Sequence, residues 1–212
     1  MMTSAWAETC AGLIWLATVG MMIVKTPRSV ATLYRTQALG VAGLGAIIAL
    51  SENLPILWAT VGLTVVVRIF AIPAIINRGI KIPSAPYSAK SPLGVGSLIV
   101  YATLLTAAGM LAVQTGAVAL PVTVGLIIAS MFVSFIHLSA RYEVWSMLWA
   151  LMSLDAIISA GVLVFARSLP ELTDLGLFAM SLSLALVLAF VAHRIHSVKA
   201  SLDVRELEEL VG

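Results

Sequence analysis

Asp155 and Arg68 are the two residues of this chain that could do chemistry where charge is costly, because each lies inside a long apolar run. An ionisable side chain at bilayer depth costs about 2.5–3.5 kcal/mol on insertion scales and more in simulation. Asp155 stands about a dozen residues from both Glu143 and Arg167, which at about 1.5 Å of rise per residue is roughly 15 Å or more from either end of its helix. A carboxyl there can be a protonated acid bonded to a neighbouring helix, or a group that takes up and releases protons. Desolvation and a nearby cation push its proton affinity in opposite directions, so it is tunable. Ser159, four residues on, and Met152, three residues back, share its face. Ser159 could hold a water or accept a hydrogen bond from the acid. A single carboxyl makes no pathway, so a relay through Asp155 would draw on groups of other chains.

Arg68 lies within reach of the end of its own run, so its stem could snorkel, or it could form a static pair that fixes packing. The other reading is a fixed positive charge beside a hydrated path. Pro73 favours the second, since it cannot donate to the Ile69 carbonyl and predicts a bent helix with freed backbone near Arg68. His137, near the end of another run, reads as an interfacial residue, although its ordinary pKa near 6.5 allows proton uptake. His193 and His196 are spaced i, i+3 without a third ligand and read as interfacial.

The elements that must position these groups follow from composition. Of 212 residues, 61% are hydrophobic and 10% charged, with a mean hydropathy of +1.08. A soluble domain is about 45–50% apolar and about 25% charged. The chain is an integral membrane protein, which excludes a cytosolic enzyme, a secreted disulfide scaffold and a disordered linker. The net charge of +2 is too small to point to nucleic acid, and a lone Cys10 makes no internal disulfide. Apolar segments at 5–24, 34–51, 54–76, 93–113, 118–139, 144–166 and 172–195 predict seven transmembrane helices. Helices are required because lipid does not satisfy open backbone, and the alternation of barrel strands is missing. No Lys or Arg precedes the first segment, which is therefore expected to remain in the mature protein.

Basic residues set the orientation. With the N-terminus outside, Lys25, Arg28, Arg35, Arg78, Lys81, Lys90, Arg141, Arg194, Lys199 and Arg205 fall on the cytoplasmic side and only Arg167 on the outer side. The expected architecture is an all-α polytopic membrane helix bundle, N-terminus outside and C-terminus cytoplasmic. Ser51-Glu52-Asn53 predicts a tight turn. Ala38, Ala42 and Ala46, with Gly40, Gly43 and Gly45 beside them, predict close helix approach. Gly94-Val95-Gly96-Ser97 lacks the rest of a dinucleotide fingerprint and reads as close packing too. Trp145 and Trp149 are expected in the interfacial belt. The chain has no Walker, CxxC, HExxH or Ser/His/Asp pattern. After Lys199, Asp203 and Glu206 resemble a capping box, and Val204, Leu207, Leu210 and Val211 form one apolar face among acidic residues. That short helix, with Leu202 before it, suits docking on another subunit better than on anionic lipid.

The chain resembles the hydrogenase-4 component E family over its whole length. The resemblance rests on Ser201-Leu202-Asp203-Val204 with Leu207, Leu210 and Gly212, on Arg68-Ile69-Phe70-Ala71-Ile72-Pro73, and on the stretch from Arg141 to Gly161. The last three helices are similar to the three-helix K subunit of respiratory complex I. The resemblance implies a membrane subunit of energy-converting hydrogenase and formate hydrogenlyase-type complexes. In the K-like family a carboxyl sits in each of two adjacent helices, within a hydrated axis used in proton translocation. Asp155 falls at the first. At the second, this chain has Met180-Ser181-Leu182-Ser183 and no acid, which leaves either serine and water to support the path or a smaller share in translocation.

The expectations are then as follows. Residues 1–113 form an N-terminal four-helix region, 114–196 a K-like three-helix region and 197–212 a cytoplasmic amphipathic tail. The chain is a non-catalytic membrane-arm subunit of a complex I-like oxidoreductase, contributing to a proton or sodium path and linking antiporter-like subunits to the rest of the arm. Its relay residues are Asp155, Arg68, His137 and Ser159, and its docking residues Leu202, Val204, Leu207 and Leu210. It holds no cofactor itself, while partner subunits hold Fe–S clusters and a metal active site. Its location is a bacterial or archaeal cytoplasmic membrane. An autonomous secondary transporter is the rival from another class, though no internal repeat between the first and last three segments favours it. A purely structural membrane subunit is the third reading.

Overall fold

The computed structural model describes residues 2–79, 94–114, 120–141, 143–165 and 171–199. The docking residues expected in the tail, Leu202, Val204, Leu207 and Leu210, lie outside the described residues, as does most of the proline-containing stretch after Asn77. The described residues are all-α, with no strand among them. The helices are α1 (Met2–Ile23), α2 (Pro27–Glu52), α3, α4 (Val95–Gln114), α5 (Pro121–Ser139), α6 (Val144–Phe165) and α7 (Glu171–Lys199). Helix α3 is built from Leu57–Thr64, Val65–Ala71 and Ile72–Gly79 running end to end, the middle piece wound as a π-helix. Helices α1 to α6 are long and apolar enough to cross a membrane, and α7 has a shorter described apolar stretch, Phe178–Arg194. These are the helices of a multi-pass membrane protein.

Helix α2 starts well before the apolar run expected from residue 34. Thr26 is extended (φ −103°, ψ 131°) and Pro27 opens the helix, where its fixed φ fits and its missing N–H costs nothing. Arg28 and Arg35 point outward, while Val30, Ala31 and Tyr34 are buried. The other end of α2 closes as expected. Asn53 adopts the left-handed conformation (φ 51°, ψ 42°) and its N–H returns to the Ala49 carbonyl.

Helices α1, α2, α6 and α5 pack in that cyclic order, each against the next. Helix α4 lies against α5, on one side of this group; α3 lies against α2 on the other, with α7 packed on α3 and α6. Small residues set the closest approaches. A Cβ on Gly40 would meet Ile14 Cγ1 at 2.8 Å and the Cys10 carbonyl oxygen at 3.1 Å, so the predicted small-residue stripe of α2 is where α1 crosses it.

Two expectations need correction. Gly94 and Gly96 face open space, and the close α4 contact is instead at Gly109, whose Cβ would lie 2.8 Å from the Gly125 oxygen and 2.9 Å from the Ala129 nitrogen. Gly125 and Ala129 share a four-residue spacing that supplies the flat surface. Trp145 and Trp149 are buried rather than in a belt, and they belong to the core cluster that joins α2, α3, α6 and α7. The tertiary contact of α2 with α6 covers them, which no hydropathy pattern encodes. Arg141 is also buried, although it sits between α5 and α6. Its Nη2 donates to the carbonyls of Met22 at 2.7 Å and Val24 at 3.3 Å, closing the C-terminal end of α1. Burial pushes the Arg141 guanidinium down from its ordinary value, and the Glu143 carboxylate opposes that shift.

Gly109→Ala puts a methyl group against backbone atoms, which cannot swing away. It is expected to destabilise by about 1–3 kcal/mol. Gly96→Ala, in open space, should instead be neutral or stabilising by up to about 1 kcal/mol from helix propensity. Thermal unfolding of the two variants in the same detergent checks the pair of signs.

Candidate functional site

The site begins with the backbone of α3. Pro73 has no N–H for the preceding turn, and the helix answers with a π segment over Val65–Ala71 rather than with the simple bend expected from the sequence. The Ile72 N–H reaches back five residues to the Val67 carbonyl. The wider turn accommodates an extra residue and re-aims the side chains inside it. Arg68 is in the middle of that segment and is fully buried.

The structure brings Arg68 and Asp155 together. Arg68 Nη1 donates to Asp155 Oδ2 at 2.7 Å, and the side chains are 1% and 23% exposed respectively. Arg68 is thus sealed in the protein while the carboxyl is partly open. Arg68 Nη2 donates to Ser159 Oγ at 2.6 Å and reaches Ser181 Oγ at 3.4 Å. Ser181 Oγ in turn donates to Asp155 Oδ2 at 2.8 Å. The guanidinium carbon also lies 5.7 Å from the centre of the Phe178 ring, within cation–π range. Three helices therefore share one charged knot: α3 gives the cation, α6 the carboxylate and a hydroxyl, and α7 a second hydroxyl and an aromatic face.

Ser159 plays a different part from the one expected. Its hydroxyl donates to the Asp155 backbone carbonyl at 3.1 Å and accepts from Arg68, so it serves the cation rather than the acid side chain. The i, i+4 spacing placed Ser159 on the right face, and only the arrival of α3 assigned its partner. Ser181 fills the segment where the resemblance expects a second carboxyl, and it is in direct hydrogen-bond contact with Asp155.

Beside the knot lies a cleft of about 20 Å³, lined by Val41, Thr60, Thr64, Ser159, Leu163 and Phe178 among others. That is room for a single water molecule. Thr60, Thr64 and Arg68 follow one another at four-residue steps, a polar stripe readable in the sequence and missed there. The cleft extends from the ion pair towards the start of α3 and the end of α6.

His137 is not at this site. It is buried at the end of α5, with Nε2 3.2 Å from Ser146 Oγ on α6. His193 is exposed on α7. Beyond Ser146 a second polar group crosses the core. Gln37 Nε2 donates to Thr18 Oγ1 at 2.9 Å and to Ser153 Oγ at 2.8 Å, and Ser153 lies 3.1 Å from Ser134 Oγ. Gln37 is an isolated amide in an apolar run, which was its only signal. Among the described residues no cluster of His, Cys, Asp or Glu could hold a metal ion. No family model, curated protein or solved structure matches the chain.

Removing one partner of a buried ion pair strands the other charge, and typically costs about 3–5 kcal/mol. Asp155→Leu should therefore destabilise the protein strongly, because Arg68 has no route to solvent. Adding Arg68→Leu to it should recover most of the loss. Unfolding of the two single variants and the double variant in one detergent gives the coupling directly.

Proposed function

We propose that this chain is a non-catalytic membrane-arm subunit of a complex I-like energy-converting oxidoreductase of the hydrogenase-4 or formate hydrogenlyase type, in which Asp155 passes protons. The observation that carries this reading is the asymmetry of the ion pair. A fixed cation is sealed among three helices, while its carboxylate partner stays 23% exposed. A group that must accept and release a proton needs a stable countercharge and an accessible face, and Asp155 has both. The knot also spans the two helices where the resemblance expects the charged axis, with Ser181 in place of the second acid.

In the orientation that the basic residues favour, N-terminus outside, the Thr60 and Thr64 cleft lies on the outer side of the pair. Tyr34 and Trp149 lie on the cytoplasmic side. Antiporter-like subunits would approach the open side of Asp155 and complete a path that one chain cannot supply. The Fe–S clusters and metal active site would belong to partner subunits, and the membrane would be a bacterial or archaeal cytoplasmic one. His137, far from the knot, would act only through the separate Ser146 contact.

Asp155→Asn keeps the shape and removes the exchangeable charge. In the assembled complex it is expected to reduce ion translocation at least tenfold, while peripheral electron transfer continues. Proton uptake into membrane vesicles, measured beside the redox rate, reads both. Unchanged uptake removes the relay assignment. A second reading is favoured by the same geometry: a well-paired knot can simply pin α3, α6 and α7 together. Under that reading the stable double variant Arg68→Leu with Asp155→Leu retains translocation.

A further inference from the structure

Among the described residues, one buried group beside the knot has no well-formed hydrogen bond, and it is the chemical complement of another. Tyr34 on α2 is fully buried, and its hydroxyl makes no hydrogen bond among the described residues. Arg68 is fully buried too, and its Nε–H is likewise without a partner. Helix α2 packs on the π segment that presents Arg68. Tyr34 belongs to the same core cluster as Val67 and Phe178, and its phenol feels the charges of both Arg68 and Asp155 and lies close enough to Arg68 for a loose hydrogen-bonding interaction, short of a well-formed bond. Its ring is held against Trp149, centroids 5.3 Å apart. A buried donor and a buried acceptor that approach without a well-formed hydrogen bond normally cost stability, so the pair asks for a state in which the bond is completed.

Protonation of Asp155 would create that state. The neutral acid holds the guanidinium weakly, and an unpaired charge in a low-dielectric core is strongly unfavourable. We propose that the Tyr34 hydroxyl is the second station of Arg68, accepting a well-formed hydrogen bond from Nε when Asp155 is neutral and holding it only loosely when Asp155 is ionised. Tyr34 is then a positioning residue. The proton that arrives resides on Asp155, Arg68 stays cationic and Tyr34 stays a neutral phenol throughout, so no other bond is made or broken. Ser159 and the Phe178 face keep hold of the guanidinium in both states and limit its travel to a short swing. Among the described residues, the charged and titratable groups facing Asp155 from the packed helices are Arg68 on α3 and Tyr34 on α2. Helix α7 contributes Ser181 and Phe178, which do not titrate in this range.

The inference rests on the reading of Asp155 as a group that changes protonation, and the test separates the two. The full chain is placed in lipid nanodiscs in four forms: wild type, Tyr34→Phe, Asp155→Asn and the double variant. Asn imitates the neutral acid, and Phe keeps the ring on Trp149. Tyr34→Phe is expected to leave the wild-type melting temperature nearly unchanged and to lower that of Asp155→Asn by about 2–4 °C or more. The tyrosine C–O vibration, isolated as the difference between the forms with and without Tyr34, is expected to shift in Asp155→Asn as the oxygen becomes an acceptor. Should Asp155→Asn not fold, acidifying the wild-type chain in the same nanodiscs supplies the neutral acid, and the same band is followed. Equal costs of Tyr34→Phe in the two backgrounds, or a band that does not move on neutralising position 155, overturns the second station. Failure of the relay instead appears as unchanged proton uptake by Asp155→Asn complexes, with the vibrational result intact.

Discussion

A guanidinium with no route to water dictates how this bundle is arranged. The Arg68 side chain carries its charge in a sealed position. Every helix that touches it must therefore offer something polarisable or polar: a carboxylate and a hydroxyl from α6, a hydroxyl and an aromatic face from α7. The π segment of α3 presents the charge to both. In a membrane, where apolar packing between helices gains little over packing with lipid, such polar contacts have unusual weight in deciding which helices associate.

The same constraint explains the division between the two polar groups in the core. The Gln37 network joins α1, α2, α5 and α6 with neutral partners only. It can stay closed, since amides and hydroxyls lose little when they pair with each other. The Arg68 knot sits at the edge of that four-helix group, where α6 turns another face towards α3 and α7. Ser153 and Asp155, two residues apart, serve the two networks from different sides of one helix. Helix α6 thus ties a neutral core to a charged flank, and a change of charge at Asp155 would be felt by α3, α7 and the Tyr34 face of α2 before it reached the Gln37 network.

Much of the secondary structure was readable. Among the described residues the apolar runs match the helices to within a few residues except at the start of α2, where Pro27 extends the helix beyond its apolar run. The turn at Asn53 followed from its residue types. The two costly charges were also identifiable, because an ionisable residue within an apolar run stands out against every neighbour. Other signals were present and ambiguous. Four-residue spacing put Ser159 on the face of Asp155 but could not say that Arg68 would take it. Glycine and small-residue spacing was real at both Gly40 and Gly96, yet only the first meets a neighbouring helix.

The sequence by itself determined which segments are helical and apolar, and where charge would be difficult to bury, because hydropathy and backbone pairing act on local stretches of chain. The tertiary structure alone decided which buried groups meet. Arg68 and Asp155 lie 87 residues apart, and no local preference relates them; the pairing depends on how α3 and α6 cross. The burial of Trp145, Trp149 and His137, and the unpaired hydroxyl of Tyr34, belong to the same class. Each follows from helix–helix contact geometry, in which a rotation of a few tens of degrees exchanges a lipid-facing side chain for a core one.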